Sequence, residues 1–193
     1  MKSSVIIIGS GLGGMACGIR LACSGQSVTI LEQNATPGGC LQRFRRGNAA
    51  FDTGMHYIGS MAPGETLHTL FQQLGIDDDL PLSPLDPQGY DVVALGGKRY
   101  AFAAGREAFL KEMLRAFPTE EATLTRYADL VDETAKAASW QNNDETAVAA
   151  RLAEASQTSL DETLRRLTTN ERLRQVLAAR LPLIAATRQR TPF

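Results

Sequence analysis

The stretch Val5–Asn34, VIIIGSGLGGMACGIRLACSGQSVTILEQN, decides the fold of this chain. Val5–Ile8 is β-branched throughout, as in a strand buried on both faces of a parallel sheet. Gly13 to about Ser24 predicts a helix, ended by Gly25 in the left-handed conformation, and Ser27–Glu32 predicts a second strand. Between first strand and helix lies G-x-G-x-x-G: Gly9, Ser10, Gly11, Leu12, Gly13 and Gly14. Gly9 permits a sharp turn, and Gly11 lets a pyrophosphate approach the backbone. Gly14 lets helix and strand pack closely, and the helix N-terminus offers N–H donors to phosphate. Glu32 follows Gly9 by 23 residues. At the end of the second strand its carboxylate can accept both ribose hydroxyls, and it would repel a 2′-phosphate. The predicted class is α/β, with a Rossmann-like βαβ unit that binds a dinucleotide. Taken alone, that unit fits FAD or NAD.

The composition agrees with an ordinary globular chain. Of 193 residues, 44% are apolar and 21% charged, and the formal net charge is −1. A near-neutral balance argues against nucleic acid as the main partner. Cys17, Cys23 and Cys40 are odd in number and form no C-x-x-C, so neither a disulfide framework nor a zinc site is expected. A reducing, cytoplasmic compartment fits that usage. The opening MKSSVIIIGSG has too few consecutive apolar residues for a signal-peptide core, and no run reaches the length of a membrane span. Two histidines without H-x-x-x-H suggest no metal site, and neither a G-x-S-x-G nor a Walker sequence occurs. The tail 151–193 carries eight arginines against four acids. Arg165, Arg166, Arg172 and Arg174 fit a solvated helix face or peripheral contact with an anionic membrane surface.

Beyond Asn34 the chain is rich in Gly, Pro and Asn as far as Gly64, a functional loop segment with short strands. Glu65–Leu74 predicts a helix stopped by Gly75. Tyr90–Ala103 predicts a hairpin turned at Gly96-Gly97. After Gly105 the pattern is helical: Arg106–Phe117, Thr119–Ser139, Glu145–Ser156, Leu160–Leu167 and Glu171–Arg180. Ser159 with Glu162 reads as a capping box for the fourth of these. The shift in composition places a domain boundary at about residue 104, dividing 1–104 from 105–193.

A second glycine pair, Gly38-Gly39, follows Glu32 and Gln33 in EQNATPGGC, where backbone amides can close over another part of a long ligand. With the βαβ unit, this resembles the flavin-binding end of the phytoene desaturase, amine oxidase and GDP dissociation inhibitor superfamily. The segment Gly38–Gly59, GGCLQRFRRGNAAFDTGMHYIG, narrows the resemblance to the retinol saturase and carotenoid isomerase branch of the phytoene desaturase family. The match runs from Val5 to about Tyr57.

The resemblance implies an FAD-dependent oxidoreductase acting on a carbon–carbon bond of an apolar polyene, with NAD(P)H as a candidate electron partner. It implies that Gly9, Gly11, Gly14, Glu32 and Gly39 hold FAD, with Gly54 and His56 nearer the flavin. Many relatives carry Arg after the glycine pair where this chain has Cys40, so Arg43 or Arg45 is the candidate phosphate contact. Cys40 is otherwise a small residue packed near the cofactor. His56 is the one catalytic candidate, against a structural histidine, and Asp52 is weighed as a turn former against a catalytic acid. Tyr57 is expected to wall the site. The resemblance also implies a longer chain that returns to the FAD domain, so this one is expected to be a fragment, inactive alone. A non-redox binding protein of the GDP dissociation inhibitor type and a flavin amine oxidase are the alternatives.

Overall fold

A computed structural model describes residues 4–55, 57–78, 80–137, 145–181, 186–187 and 189–192. The chain forms two compact units, Met1–Leu82 and Ser83–Phe193.

The first unit begins with strand β1 (Ser4–Ile8), helix α1 (Leu12–Cys23) and strand β2 (Ser27–Leu31). β1 and β2 pair in parallel, Val5 beside Val28 and Ile7 beside Ile30. Gly18 lets α1 approach this pair: a Cβ there would stand 3.1 Å from Ile30 Cδ1 and 3.5 Å from Ile7 Cδ1. Helix α1 ends before Gly25, at φ +82°, as glycine beyond a helix C-terminus commonly does.

The expectation that β1 is buried on both faces is corrected by its alternation. Ile7 turns toward α1, whereas Ile6 and Ile8 are 65% and 89% exposed. Successive strand side chains point to opposite faces, and α1 covers one of them.

The loop segment holds a short turn at Gly39–Leu41 and a hairpin of β3 (Arg43–Arg46) and β4 (Ala49–Asp52), turned at Gly47. Phe44 and Phe51 stack across it, with ring centroids 5.2 Å apart. Helix α2 (Thr66–Leu74) ends at Gly75 in the left-handed region, φ +68°. Arg20 of α1 donates to the Gln73 carbonyl at 2.9 Å, tying the two helices.

The second unit opens with the hairpin β5 (Asp91–Leu95) and β6 (Lys98–Phe102). Gly96 and Gly97 both have positive φ, +57° and +75°, as a two-residue primed turn requires. Helices α3 (Arg106–Ala116), α4 (Glu121–Ala137), α5 (Glu145–Gln157), α6 (Leu160–Leu167) and α7 (Glu171–Ala178) follow. Ser159 and Asn170 cap α6 and α7 by accepting the N–H of Glu162 and of Leu173. The expected end of the second helix, Ser139, lies outside the described residues.

Tyr100 and Phe102 are buried with Met113, Phe117, Leu124, Leu164, Leu173 and Val176 in one core. This packing shifts the boundary from the expected residue 104 to 82/83. The last described strand ends at Phe102 and the last glycine is Gly105, but the hairpin buries its aromatic face against the helices that follow it. Among the described residues no helix is long and apolar enough to cross a membrane.

Candidate functional site

The site is built where β1 gives way to α1. Gly9 turns with φ +96°, and its N–H donates to the Leu31 carbonyl at 2.7 Å, closing the end of β1 onto β2. Gly11 caps α1 without a side chain, and the first intrahelical bond runs from Met15 N–H to Gly11 O. The N–H groups of Leu12, Gly13 and Gly14 precede that bond, as at any helix start, and carry the positive end of the helix dipole. A Cβ on Gly14 would collide with the Gly9 carbonyl, so only glycine lets the helix start this close to the strand. A Cβ on Gly9, Gly11 or Gly13 would meet no atom within 4 Å, so the front of the loop is clear. Leu12 is 63% exposed at the mouth of this turn.

Glu32, directly after β2, reaches back across the loop. Its Oε2 accepts from Ser10 N–H at 2.9 Å and from Ser10 Oγ at 2.6 Å. Its Oε1 accepts from the Asn34 backbone at 2.8 Å and from Asn34 Nδ2 at 3.0 Å. These bonds, that of the Ser10 hydroxyl foremost, hold the carboxyl down to about 2, because each favours the charged form. Ser10 is 4% exposed, a buried hydroxyl with an ionised acceptor. Gln33, between the two partners, is exposed.

The second glycine pair meets the first loop by backbone alone. Gly38 N–H donates to Ser10 O at 3.0 Å, and Gly11 and Gly38 form a parallel bridge. Gly38 and Gly39 adopt φ +121° and +58°, and a Cβ on Gly39 would stand 3.0 Å from Gly11 Cα. Cys40 is exposed in the turn that follows. Thr53 Oγ1 lies 3.0 Å from its carbonyl and 2.6 Å from that of Gln42. A Cβ on Gly54 would approach the Cys40 carbonyl to 2.7 Å, so FDTG lies against this turn.

Three separated segments therefore converge: Gly9–Gly14, Glu32–Asn34 and Gly38–Gly39, with Gly54 behind Cys40. Asn34, Thr53 and Gly18 were missed by sequence reasoning. Asn34 could have been suspected as an Asx residue two positions after the acid; Thr53 and Gly18 act through tertiary packing and left no local signal.

Arg43, the candidate phosphate contact, is ion-paired with Asp52 at 2.8 Å across the hairpin. Asp52 is accordingly the last residue of β4 rather than a turn former. Tyr57 is half-buried, and His56 lies outside the described residues. Among the described residues no cluster of His, Cys, Asp and Glu could hold a metal ion.

In the second unit, Arg165 and Arg166 pair with Asp161 and Glu162 one turn away, the pattern of a solvated helix face. Arg174 is largely buried, pairing with Glu171 and donating to the Thr168 carbonyl at 3.0 Å. Arg172 instead reaches the Gly96 turn.

Residues 7–74 match the model of the NAD(P)-binding Rossmann-like domain. The chain is 37% identical over 134 residues to all-trans-retinol 13,14-reductase of Homo sapiens, covering 67% of this chain and 22% of that protein. It is 31% identical over 211 residues to the Rattus norvegicus protein of the same name, covering 100% of this chain and 34% of that one. Phytoene desaturase (neurosporene-forming) of Cereibacter sphaeroides is 30% identical over 124 residues, covering 63% of this chain and 23% of the relative. The chain spans about a third or less of the length of these relatives. It belongs to the family of the all-trans-retinol 13,14-reductases, phytoene desaturases and prolycopene isomerases, and carries its dinucleotide-binding Rossmann fold.

Proposed function

We propose that the chain is the cofactor-binding part of an FAD-dependent oxidoreductase acting on a carbon–carbon bond of an apolar, polyene-like substrate. The observation that carries this reading is the convergence of the glycine loop, Glu32 and the second glycine pair on one place. The fit to a dinucleotide rests on the glycines. Gly14 is required for the approach of α1 to β1, while Gly9, Gly11 and Gly13 leave the front of the loop clear for phosphate.

Each residue has a task in this reading. The N–H groups of Leu12, Gly13 and Gly14 receive the pyrophosphate, and the Glu32 carboxylate receives the adenosine ribose. Gly38 and Gly39 bring backbone, unobstructed by side chains, beside the loop for a second part of the ligand. Cys40 and Gly54 continue that wall, and Arg43 is a phosphate contact if it leaves Asp52. His56 is the catalytic candidate of this reading. Bound FAD would supply the exchange of a hydride equivalent with the substrate, with NAD(P)H as electron partner. The protein orients the reactants and excludes water. The first unit, Met1–Leu82, serves the cofactor, and the second, Ser83–Phe193, belongs to the substrate side.

The relatives' names concern retinol, phytoene and prolycopene, all isoprenoid polyenes. An apolar substrate of that class is best delivered from a membrane or a carrier, which favours peripheral membrane contact. Saturation, desaturation and isomerisation are all compatible with this reading.

The test is the absorption spectrum of the purified chain after incubation with FAD, followed by addition of NADH or NADPH. Retained flavin absorbance is expected. A chain that takes up no FAD overturns the reading.

A further inference from the structure

Glu32 is saturated. A carboxylate offers roughly four lone-pair positions, and four donors occupy them here, two on each oxygen. Two of these donors, the N–H groups of Ser10 and Asn34, belong to the backbone, and that of Ser10 is fixed by its neighbours. Ser10 lies between Gly9, bonded to Leu31, and Gly11, bridged to Gly38. The other two, Ser10 Oγ–H and Asn34 Nδ2–H, rotate about side-chain bonds. A ribose diol therefore reaches the Glu32 oxygens only by taking over positions that these side chains hold.

We propose that Ser10 Oγ and Asn34 Nδ2 are place-holders on Glu32, positioning residues that keep the carboxylate in line and yield their acceptor positions to the ribose hydroxyls. The inference rests on the dinucleotide reading of the site and adds how that site recognises ribose. The backbone donors stay, so the carboxylate keeps its place through the exchange. The ribose gains a charge-assisted bond at each oxygen while the protein loses one, so the net gain is smaller than for an unoccupied acceptor. The displaced Ser10 hydroxyl, next to Gly11, is free to turn toward the phosphate side of the loop.

This exchange has a signature that a structural role lacks. A ligand without the 2′-hydroxyl need not displace both side-chain donors, so the wild-type chain discriminates weakly between ribose and deoxyribose. Removing the place-holder at the oxygen that faces the 2′-hydroxyl opens an acceptor position there, and only the ribose ligand profits.

The experiment is calorimetric titration of the wild-type chain, Ser10→Ala and Asn34→Ala with adenosine 5′-diphosphate and 2′-deoxyadenosine 5′-diphosphate. The ratio of the two dissociation constants should rise in at least one variant by about tenfold, the worth of one hydrogen bond to a charged group. Asn34 is exposed, so its variant keeps the test open if the buried Ser10→Ala fails to fold. A ratio unchanged in both variants, with the two ligands weakened equally, overturns the place-holder role and leaves the dinucleotide reading standing. A wild-type chain that binds neither nucleotide overturns both.

Discussion

The Ser10 hydroxyl lies 2.6 Å from Glu32 Oε2, so the middle of the phosphate loop and the acid ending the βαβ unit are bonded directly. One residue thereby serves two ends. In the proposed reading Glu32 would receive the ribose, and its bond to Ser10 also braces the loop that would hold the pyrophosphate. Glu32→Ala removes both functions. FAD affinity should fall by about ten- to a hundredfold, as for loss of hydrogen bonds to a charged group. Fluorescence titration of FAD checks this, and an unchanged dissociation constant would remove Glu32 from the site.

The second glycine pair gives a sharper prediction. Gly39 has φ +58°, and a Cβ there would stand 3.0 Å from Gly11 Cα. Backbone, unlike a flexible side chain, cannot swing aside. Gly39→Ala should cost roughly 1–2 kcal/mol for the left-handed conformation alone, and should part the two glycine segments. Gly47→Ala is the control, since its φ is +56° but its Cβ would meet nothing within 4 Å. Both should lower the melting temperature, and only Gly39→Ala should also lose FAD affinity. Equal losses in the two variants would dissociate Gly39 from the loop.

These two cases mark what a sequence can disclose. The βαβ unit was legible because strand, tight turn, helix and terminal acid follow one another locally, each with its own residue signature. The hairpin at Gly96-Gly97 and the Ser159 cap were legible for the same reason. What Gly39 touches was not legible, because its approach to Gly11 is made by backbone from a distant segment. Arg43 or Arg45 was the candidate phosphate contact from the resemblance, and the Asp52 partner that the β3–β4 register gives Arg43 was not legible. The exposure of Ile6 and Ile8 was hidden because a β-branched run reads alike whether one face or two are covered. The boundary was misplaced because composition changes at 104 while packing changes at 82/83.

The helical unit has its own buried polar junction. Thr168, 8% exposed between α6 and α7, donates to the Glu120 carboxylate at 2.9 Å and accepts from Asn170 N–H at 3.0 Å. Burial pushes the Glu120 carboxyl up, and bonds from Thr123, Thr168 and Asn170 outweigh it, leaving the group below its ordinary value. Thr168→Val keeps the volume but removes the donor and the acceptor. A loss of about 1–3 kcal/mol is expected, the cost of leaving buried partners unsatisfied. Hydrogen exchange of the α7 amides reads this unit directly. Protection unchanged in the variant would show that water replaces the hydroxyl without cost.

The last prediction concerns acid. The Glu32 carboxyl is held down to about 2 against an ordinary 4.5, first by the Ser10 hydroxyl and then by the N–H groups of Asn34 and Ser10. A carboxyl whose folded value is depressed contributes stability that is fully present above the unfolded value. That contribution should therefore be constant at neutral pH. It should decline as pH falls from about 4.5 and be gone near 2, where the folded carboxyl itself takes up a proton. Ser10→Ala removes the leading cause, so the carboxyl should rise toward its ordinary value and the acid loss of stability should become shallower. Carbon-13 NMR of the Glu32 side-chain carboxyl, followed from pH 6 to pH 2, separates this group from the other acids. Coincident titration curves in wild type and Ser10→Ala would show that the hydroxyl does not hold the carboxylate, whatever their separation.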